Sequence, residues 1–250
     1  MRIAVVSDIH GNCVAFEAAL DDLKQHPADH LVCLGDAIQG GPQPAAVVAR
    51  LRELGCPVVM GNADAYLLSG MNTGDEPTSD ERQHMLDAVR EWSLAQLSPD
   101  DRAFIQGFRP TVEMALEAGR RLLCFHGSPA SFDDVMLPDT PHEQLVEYLG
   151  EYHSDVLTGG HTHVQYVRRL GADGRLFFNP GSIGLAYSHH QPESSFHADP
   201  WAEYAVLTSE GTRLALEFRR VPYDAGPLVE AYKASGRPYA DQAVAQYSRP

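Results

Sequence analysis

Short apolar runs alternate with helix-spaced apolar residues over the first sixty positions. Residues 2–7 and 30–34 have the length and apolar content of buried strands. Residues 13–26 and 44–54 carry apolar side chains three and four positions apart, which is typical of helices that pack on a sheet. Residues 57–60 form a third short apolar run. This order predicts parallel strands joined by crossover helices, and hence an α/β protein.

The pattern changes after residue 64. A polar loop is predicted over 72–80, followed by helices over 81–96 and 99–107, with Ser98 as the N-cap of the second helix. We interpret the stretch at about 79–107 as a helical insertion within a single domain that spans residues 1–250. A chain of 250 residues that is 44% hydrophobic can bury a core of that size.

The remainder of the chain is rich in predicted strands. One helix, over 141–151, interrupts them, and the turns at 171–174 and 209–212 indicate hairpin connections. The segment 188–200, rich in Ser, His and Pro, is the best candidate for a mobile loop. The strands are predicted over 111–118, 120–125, 155–158, 164–170, 176–179, 203–208 and 214–219.

Composition and charge narrow the classes of function. The formal net charge of −15 repels polyanions and argues against long duplex nucleic acid as a substrate. The apolar runs are far shorter than the roughly 20 residues that a membrane span requires, so no membrane partner is expected. The N-terminus lacks the pattern of a secretory signal, so we expect a cytoplasmic protein. The cysteines have neither metal-like nor redox-like spacing and are interpreted as reduced.

Polar residues that can bind metal ions follow five of the apolar runs. Because the carboxyl ends of parallel strands meet at one edge of a sheet, we expect these side chains to gather there. Carboxylate, amide and imidazole groups in such number predict a two-metal site. In chain order they are Asp8, His10, Asp36, Asn62, His126, His161 and His163.

Two pairs of these residues are spaced two positions apart. Strand side chains alternate with period two, so Asp8 and His10 are expected on one face of an extended strand, and His161 and His163 on one face of another. Each pair also lies beside a glycine, where the backbone can turn tightly and approach a bound ion. The spacing therefore favours metal binding over chance for these histidines.

Together these groups resemble the motif blocks of the calcineurin-like metallophosphoesterase superfamily, which read D-x-H, G-D, G-N-H-[DE], H and G-H-x-H. The resemblance extends over residues 3–221, and Asn179-Pro180-Gly181-Ser182 resembles the small bacterial phosphoesterase and phosphodiesterase branch. It implies a four-layer αββα sandwich with the short helical insertion near the active site. It also implies that Asp36 bridges two divalent ions. One ion would be held by Asp8, His10, Asp36 and His163, and the other by Asp36, Asn62, His126 and His161.

The family resemblance further implies hydrolysis of a phosphoester, phosphodiester or nucleotide phosphoanhydride by a metal-bridging hydroxide. The substrate would be a small phosphorylated or nucleotide molecule. Mn²⁺ is our first choice of ion, with Fe, Co, Ni, Zn or Mg as alternatives, because His and carboxylate ligands suit several of them. A Ser/Thr phosphoprotein phosphatase and a catalytically impaired, metal-bound binding protein are the alternative functions. The sequence leaves the oligomeric state open.

The third motif block departs from the family pattern. Relatives carry His after the Asn and use it to protonate the leaving group, whereas this chain has Ala63. The missing acid favours substrates whose leaving group departs without a proton. Asp64 and His189 are the candidate catalytic residues that could replace it. The alternative for His189 is an ordinary solvated loop residue.

Three further residues are candidate phosphate contacts. Asn12 follows Gly11 next to the first motif block, and Gly127 and Ser128 follow His126. Asn12 has an equally strong interpretation as the N-cap of the helix that starts at residue 13. Ser128 could instead be a turn residue, because it precedes a proline.

Overall fold

The computed structural model describes residues 1–71, 79–171, 174–192 and 196–247, which form two sheets and eight α-helices. The strands are β1 (Arg2–Val6), β2 (His30–Cys33), β3 (Val112–Ala115), β4 (Arg121–Cys124), β5 (Val156–Thr158), β6 (Gln165–Arg169), β7 (Leu176–Pro180), β8 (Trp201–Glu210) and β9 (Arg213–Pro222). The helices are α1 (Cys13–Gln25), α2 (Pro44–Leu54), α3 (Asn62–Ser69), α4 (Asp80–Ala95), α5 (Pro99–Gln106), α6 (His142–Leu149), α7 (Gly226–Ser235) and α8 (Ala240–Ala245).

Each sheet combines parallel and antiparallel strands. The first has the order β2-β1-β8-β9, in which β1 and β2 are parallel and β8 and β9 form an antiparallel hairpin. The second has the order β3-β4-β5-β7-β6, with β4, β5 and β7 parallel in its centre. Strands β6 and β7 pair antiparallel, as the predicted hairpin requires, although residues 172 and 173 of its turn lie outside the described part of the chain.

Three layers of apolar contact join the elements. Between the sheets, a core that includes Val5, Leu34 and Phe178 excludes water completely or nearly so. The outer face of the first sheet packs on α1, α2 and α5, and that of the second sheet packs on α6. This arrangement confirms the predicted αββα sandwich, in which each sheet buries one face on the other and its opposite face under helices.

A polar anchor fastens α1 to the first sheet. Asp22 of α1 accepts hydrogen bonds from the Arg219 guanidinium at 2.7 and 2.9 Å and from the hydroxyl of Tyr204, which is fully buried. Burial raises the pKa of Asp22, but the hydrogen bonds from Arg219 and Tyr204 outweigh it and hold that pKa below its ordinary value. The anchor therefore stabilises the fold while Asp22 is ionised.

The prediction of a third strand over 57–60 was wrong. Val58 and Val59 make only isolated bridges, to Cys33 and Arg109, because the chain turns into α3 at Asn62 before a ladder can extend. Sequence reasoning also missed α3, α7 and α8. Among the described residues, no helix is both long and apolar enough to cross a membrane.

The segment interpreted as an insertion contains α4 and α5. Helix α5 contributes the fully buried Ile105 to the core beneath the first sheet, and its capping box at Ser98 and Asp101 gives it a defined start. The boundaries of an insertion at 79–107 stay a prediction, and residues 72–78 of the predicted polar loop lie outside the described residues. So do residues 193–195 of the segment predicted to be mobile.

Candidate metal centre

The predicted ligands lie in loops at the carboxyl ends of strands from both sheets. Asp8 and His10 follow β1, Asp36 follows β2, His126 follows β4, and His161 and His163 follow β5. Asn62 is the first residue of α3. The face-to-face packing of the sheets brings these loops together, and the structure gathers the side chains into two adjacent clusters.

The first cluster consists of Asp8, His10 and His163, whose nearest ligand atoms all lie within 4.8 Å of one another. The Nε2 atoms of His10 and His163 are 3.2 Å apart. Asp8 Oδ1 lies 3.4 Å from His163 Nε2 and 3.9 Å from His10 Nε2. Both the carboxylate and the two imidazole nitrogens therefore face one small volume.

The second cluster consists of Asp36, His126 and His161, which satisfy the same distance limit. Asp36 Oδ2 is 3.4 Å from His126 Nε2, and Asn62 Oδ1 is 3.0 Å from that same nitrogen. The His126 and His161 rings are tilted against each other with centroids 5.1 Å apart. An amide oxygen thus joins a carboxylate and two imidazoles at this position.

Asp36 connects the two clusters. Its Oδ2 also lies 3.8 Å from His10 Nε2, so one carboxylate oxygen faces both groups. Its Oδ1 accepts a 2.8 Å hydrogen bond from the backbone N–H of Ala63 in the first turn of α3. A Cβ at Gly61 would overlap this carboxylate, so only glycine leaves room for it there.

Backbone carbonyls set the tautomers of three imidazoles. The Nδ1 atoms of His10, His126 and His163 lie 2.9, 2.9 and 2.7 Å from the carbonyl oxygens of Gln39, Leu34 and Leu185. A carbonyl can only accept, so Nδ1 carries a proton, and whenever the ring is neutral its Nε2 lone pair faces the site. These carbonyls belong to the backbone, so no pattern of residue types in the sequence indicates which of them contact the imidazoles.

The donor set fits divalent cations. Asp8 Oδ1 is fully buried and has no hydrogen-bond donor among the described residues. Two imidazole lone pairs that face each other at 3.2 Å repel unless positive charge lies between them. Imidazole nitrogens combined with carboxylate and amide oxygens suit several divalent metals of the first transition row.

The two carboxylates dominate the electrostatics of the site. Burial alone raises the pKa of Asp8 and of Asp36, but His163 and His126 respectively outweigh it and lower both pKa values. Burial lowers the pKa of His126, yet Asp36 raises it overall to about 9. The carboxylates therefore attract positive charge to the site, which either protons or metal ions can supply.

The period-two explanation for the paired ligands was wrong. Asp8 and His10 have φ of 55° and 48°, and His161 and His163 have φ of 68° and 57°, so these residues lie in left-handed loop conformations and not in extended strands. Asp8 and His10 still face the same cluster, but His161 and His163 face different ones.

Asp64 supports the loop that carries Asp36. It is fully buried, and its carboxylate accepts hydrogen bonds from the backbone N–H groups of Ala37 at 3.1 Å and Ile38 at 3.0 Å. Burial and the nearby Asp36 raise the pKa of Asp64 to about 7. These contacts orient the loop after Asp36, and a catalytic role for Asp64 stays a prediction.

His189 lies in a shell outside His163. Its Nε2 is 2.7 Å from the Thr162 carbonyl oxygen, and its ring stacks on Tyr187 with centroids 4.6 Å apart. Tyr187 in turn lies 5.5 Å from the His163 ring. Because a carbonyl accepts the Nε2 proton, His189 contributes to the wall of the site in this conformation, and an acid role stays a prediction.

Two of the three candidate phosphate contacts, Asn12 and Ser128, form hydrogen bonds within the protein. Asn12 accepts from Ala15 as the N-cap of α1, and its amide donates to Gly184 O and to the Tyr223 hydroxyl, so its hydrogen atoms are engaged. The Ser128 hydroxyl accepts two backbone N–H bonds in a turn, and its own N–H donates to Ser131 O. Gly127 is buried beside His126 and stays a predicted contact.

Comparisons with known proteins agree with this arrangement. The calcineurin-like phosphoesterase superfamily domain matches residues 1–200. An uncharacterized protein of Methanocaldococcus jannaschii is 26% identical over 242 residues, which is 89% of this chain and 88% of its own length. Phosphodiesterase YfcE of Escherichia coli is 39% identical over 196 residues, which is 74% of this chain and 80% of its own length. A hypothetical protein from Pyrococcus horikoshii has a similar crystal structure, with a TM-score of 0.78, 19% identity and coverage of 98% of this chain and 97% of that one.

Proposed function

Because the chain belongs to the calcineurin-like phosphoesterase superfamily, we propose that it is a phosphohydrolase that uses two divalent metal ions to cleave small phosphodiesters, phosphoesters or nucleotide phosphoanhydrides. The observation that carries the proposal is the Asp36 carboxylate, whose Oδ2 faces His126 at 3.4 Å and His10 at 3.8 Å. A single oxygen placed between two ligand clusters is the geometry that a bridging ligand needs.

The two clusters support the following ligand sets in our proposal. One ion would be held by Asp8, His10, His163 and Asp36, and the other by Asp36, Asn62, His126 and His161. Mn²⁺ is our first choice, because carboxylate and amide oxygens suit it and because metal availability in cells decides occupancy more than raw affinity does.

Two bound ions would activate a water molecule and neutralise phosphoryl charge, since two divalent ions and two carboxylates sum to about +2. The residues of the chain hold this arrangement in place. Asp64 holds the loop after Asp36, and the carbonyls of Gln39, Leu34 and Leu185 orient the imidazoles. Burial of the ligands keeps bulk water from screening the site.

The side chain at position 63 sets the expected leaving-group preference. Ala63 cannot donate a proton, so substrates whose leaving group departs as a stable anion should react best. Aryl phosphodiesters and nucleotide anhydrides meet that condition, whereas alkyl monoesters and phosphoserine do not. The similarity to a phosphodiesterase supports the diester class.

A competition assay tests the proposal. Manganese-loaded protein is offered an aryl phosphodiester, a dinucleoside polyphosphate, an aryl monoester and an alkyl monoester together. His161→Ala removes a proposed ligand, and His142→Ala is the control because His142 is an exposed histidine at the start of α6. We expect turnover of the dinucleoside polyphosphate and of both aryl substrates, little alkyl turnover, and loss of activity in H161A alone.

Other results would change the proposal in defined ways. Alkyl turnover equal to aryl turnover would refute the leaving-group argument and favour a substitute acid such as His189. Two bound metal ions without turnover on any substrate would favour a binding protein.

A further inference from the structure

The segment formed by α7, α8 and Tyr247 contacts the loops that orient the first cluster. Arg237, between the two helices, donates to Gly40 O at 2.7 Å, and the Tyr247 hydroxyl donates to Gly184 O at 3.1 Å. Gly40 follows Gln39, whose carbonyl orients His10, and Gly184 precedes Leu185, whose carbonyl orients His163. We propose that this segment is a positioning element that sets the metal affinity of the Asp8, His10 and His163 cluster and leaves that of the second cluster unchanged. The metal-binding part of this inference rests on the function proposed above.

The first connection runs through residue 40. The Gln39 carbonyl accepts from His10 Nδ1, and Gly40 follows it with a φ of 126° that favours glycine. The Arg237 guanidinium lies over the Tyr232 ring, 5.5 Å from its centroid, so its direction is fixed while it holds Gly40 O. Loss of that donor frees the peptide next to the carbonyl that orients His10.

The second connection runs through residue 184. Leu185 O accepts from His163 Nδ1 at 2.7 Å, and the preceding Gly184 O accepts from both Tyr247 and Asn12. A further backbone bond joins Ala198 N to Gln246 O at 2.9 Å. The C-terminal segment therefore holds the second carbonyl-bearing loop of the same cluster.

The second cluster has a different support. His126 Nδ1 donates to Leu34 O, and Leu34 lies fully buried in the core between the sheets, with its own N–H bonded to Val6 O at 2.8 Å. Asp36 is held by Ala63 N. These contacts belong to the sandwich itself, so a change in the C-terminal segment should leave them intact.

The C-terminal segment can be perturbed without disruption of the sandwich. Its own buried apolar residues are Leu228, Tyr232 and Ala243, which pack with partly buried neighbours that include Val14 of α1. The large cores on either face of the first sheet contain none of these residues. Variants of Arg237 and Tyr247 should therefore fold.

Metal titration tests the selectivity. Arg237→Leu removes the donors to Gly40 O and Pro238 O, and Tyr247→Phe removes the donor to Gly184 O, while both keep most of the side-chain volume. Lys233→Leu is the control from the exposed side of α7. Calorimetric titration of metal-free protein with Mn²⁺ should show one of two sites weakened by up to about 10-fold. This is the low end of the effect of losing a direct partner of a ligand, because Arg237 and Tyr247 bond the neighbouring peptide and not the partner carbonyl itself. Arg237→Lys should restore part of the affinity, because its ammonium can also donate to Gly40 O. Equal weakening of both sites, or of neither, would overturn the inference.

A second measurement separates this inference from the proposed function. Long-range ¹⁵N NMR of the histidine rings in metal-free protein reports each tautomer, with signals assigned through His10→Gln and His126→Gln. In R237L the Nδ1–H tautomer of His10 should lose population, and His126 should be unchanged. Wild-type protein that binds fewer than two Mn²⁺ ions would refute the proposed function, whereas an unchanged His10 signal would refute the positioning role.

Discussion

Replacement of Asp64 by alanine is the sharpest test of how the site is built. The carboxylate of Asp64 is fully buried and accepts the N–H groups of Ala37 and Ile38, immediately after Asp36. Asp64→Ala leaves both amides without an acceptor in a place that water cannot reach. The loop after Asp36 then loses two of its hydrogen bonds to α3, and only the Ala63 N–H still holds the Asp36 carboxylate from that helix.

The expected loss of stability follows from these contacts. A buried donor without a partner costs about 1–3 kcal/mol, so two amides cost about 2–6 kcal/mol. For a protein of this size each kcal/mol lowers Tm by about 2–4 °C, so a mid-range loss of about 4 kcal/mol lowers Tm by about 8–16 °C. Asp64→Asn keeps one acceptor oxygen, so we expect roughly half of that loss, about 1–3 kcal/mol.

Urea unfolding of metal-free protein at pH 5 measures the change, with Asp100→Ala as control. The raised pKa of Asp64 lowers wild-type stability progressively as pH rises from about 4 to about 7, which would mask part of the loss at neutral pH. Asp100 also lies in the first turn of a helix but is exposed, so the control matches the charge near the helix start. Activity of D64N should fall by the same factor for aryl and alkyl substrates. Unchanged stability with a selective loss of alkyl turnover would refute the positioning role and identify Asp64 as the missing acid.

Three further predictions address other parts of the molecule. Asp22→Asn should cost about 1–3 kcal/mol in urea unfolding, and Asp21→Asn, an exposed control, almost nothing. The pKa of Asp22 is lowered in the folded state, so its contribution should be complete above its ordinary pKa, near 4, and disappear as pH falls through the lowered value. Ala63→His should raise kcat/KM for an alkyl monoester by at least about tenfold, since general acids contribute about 10²–10⁴, and no rise would contradict the leaving-group argument. Gly61→Ala should lower the Mn²⁺ content and reduce the free energy of unfolding by about 1–3 kcal/mol, because the added Cβ overlaps the Asp36 carboxylate. The control Gly107→Ala, whose Cβ would lie 3.2 Å from Phe104 O, should retain full metal content.

The sequence predicted the sandwich well where local pattern and tertiary packing agree. Helix α2 begins and ends where its apolar spacing indicated, and β1 and β2 differ from prediction by one residue each. Helix α3 was missed because its N-cap is Gly61, which makes no side-chain cap, and it spans only eight residues. A short helix of that kind owes its stability to packing, which periodicity does not report.

The candidate ligands could be found because strand order and residue type carry the signal, but their surroundings could not. The conclusion that Asp8 and His10 converge was correct for an incorrect reason, since both residues adopt positive φ. The carbonyls behind the imidazoles and the donors from Arg237 and Tyr247 depend on contacts between distant segments. Peptide groups are the same at every position, so no residue pattern marks the ones that orient a ligand.

The left-handed loops also limit how this centre could be transferred to another protein. Five of the seven described non-glycine residues with positive φ are proposed ligands, namely Asp8, His10, Asp36, His161 and His163. Each such conformation costs roughly 1–2 kcal/mol relative to glycine, so the five together oppose folding by about 5–10 kcal/mol. A designer who grafts only these side chains onto a regular α/β sheet would copy the ligand types but not the left-handed backbone that orients them toward one another. The transferable unit is the set of loops together with the core and the helices that hold them in place.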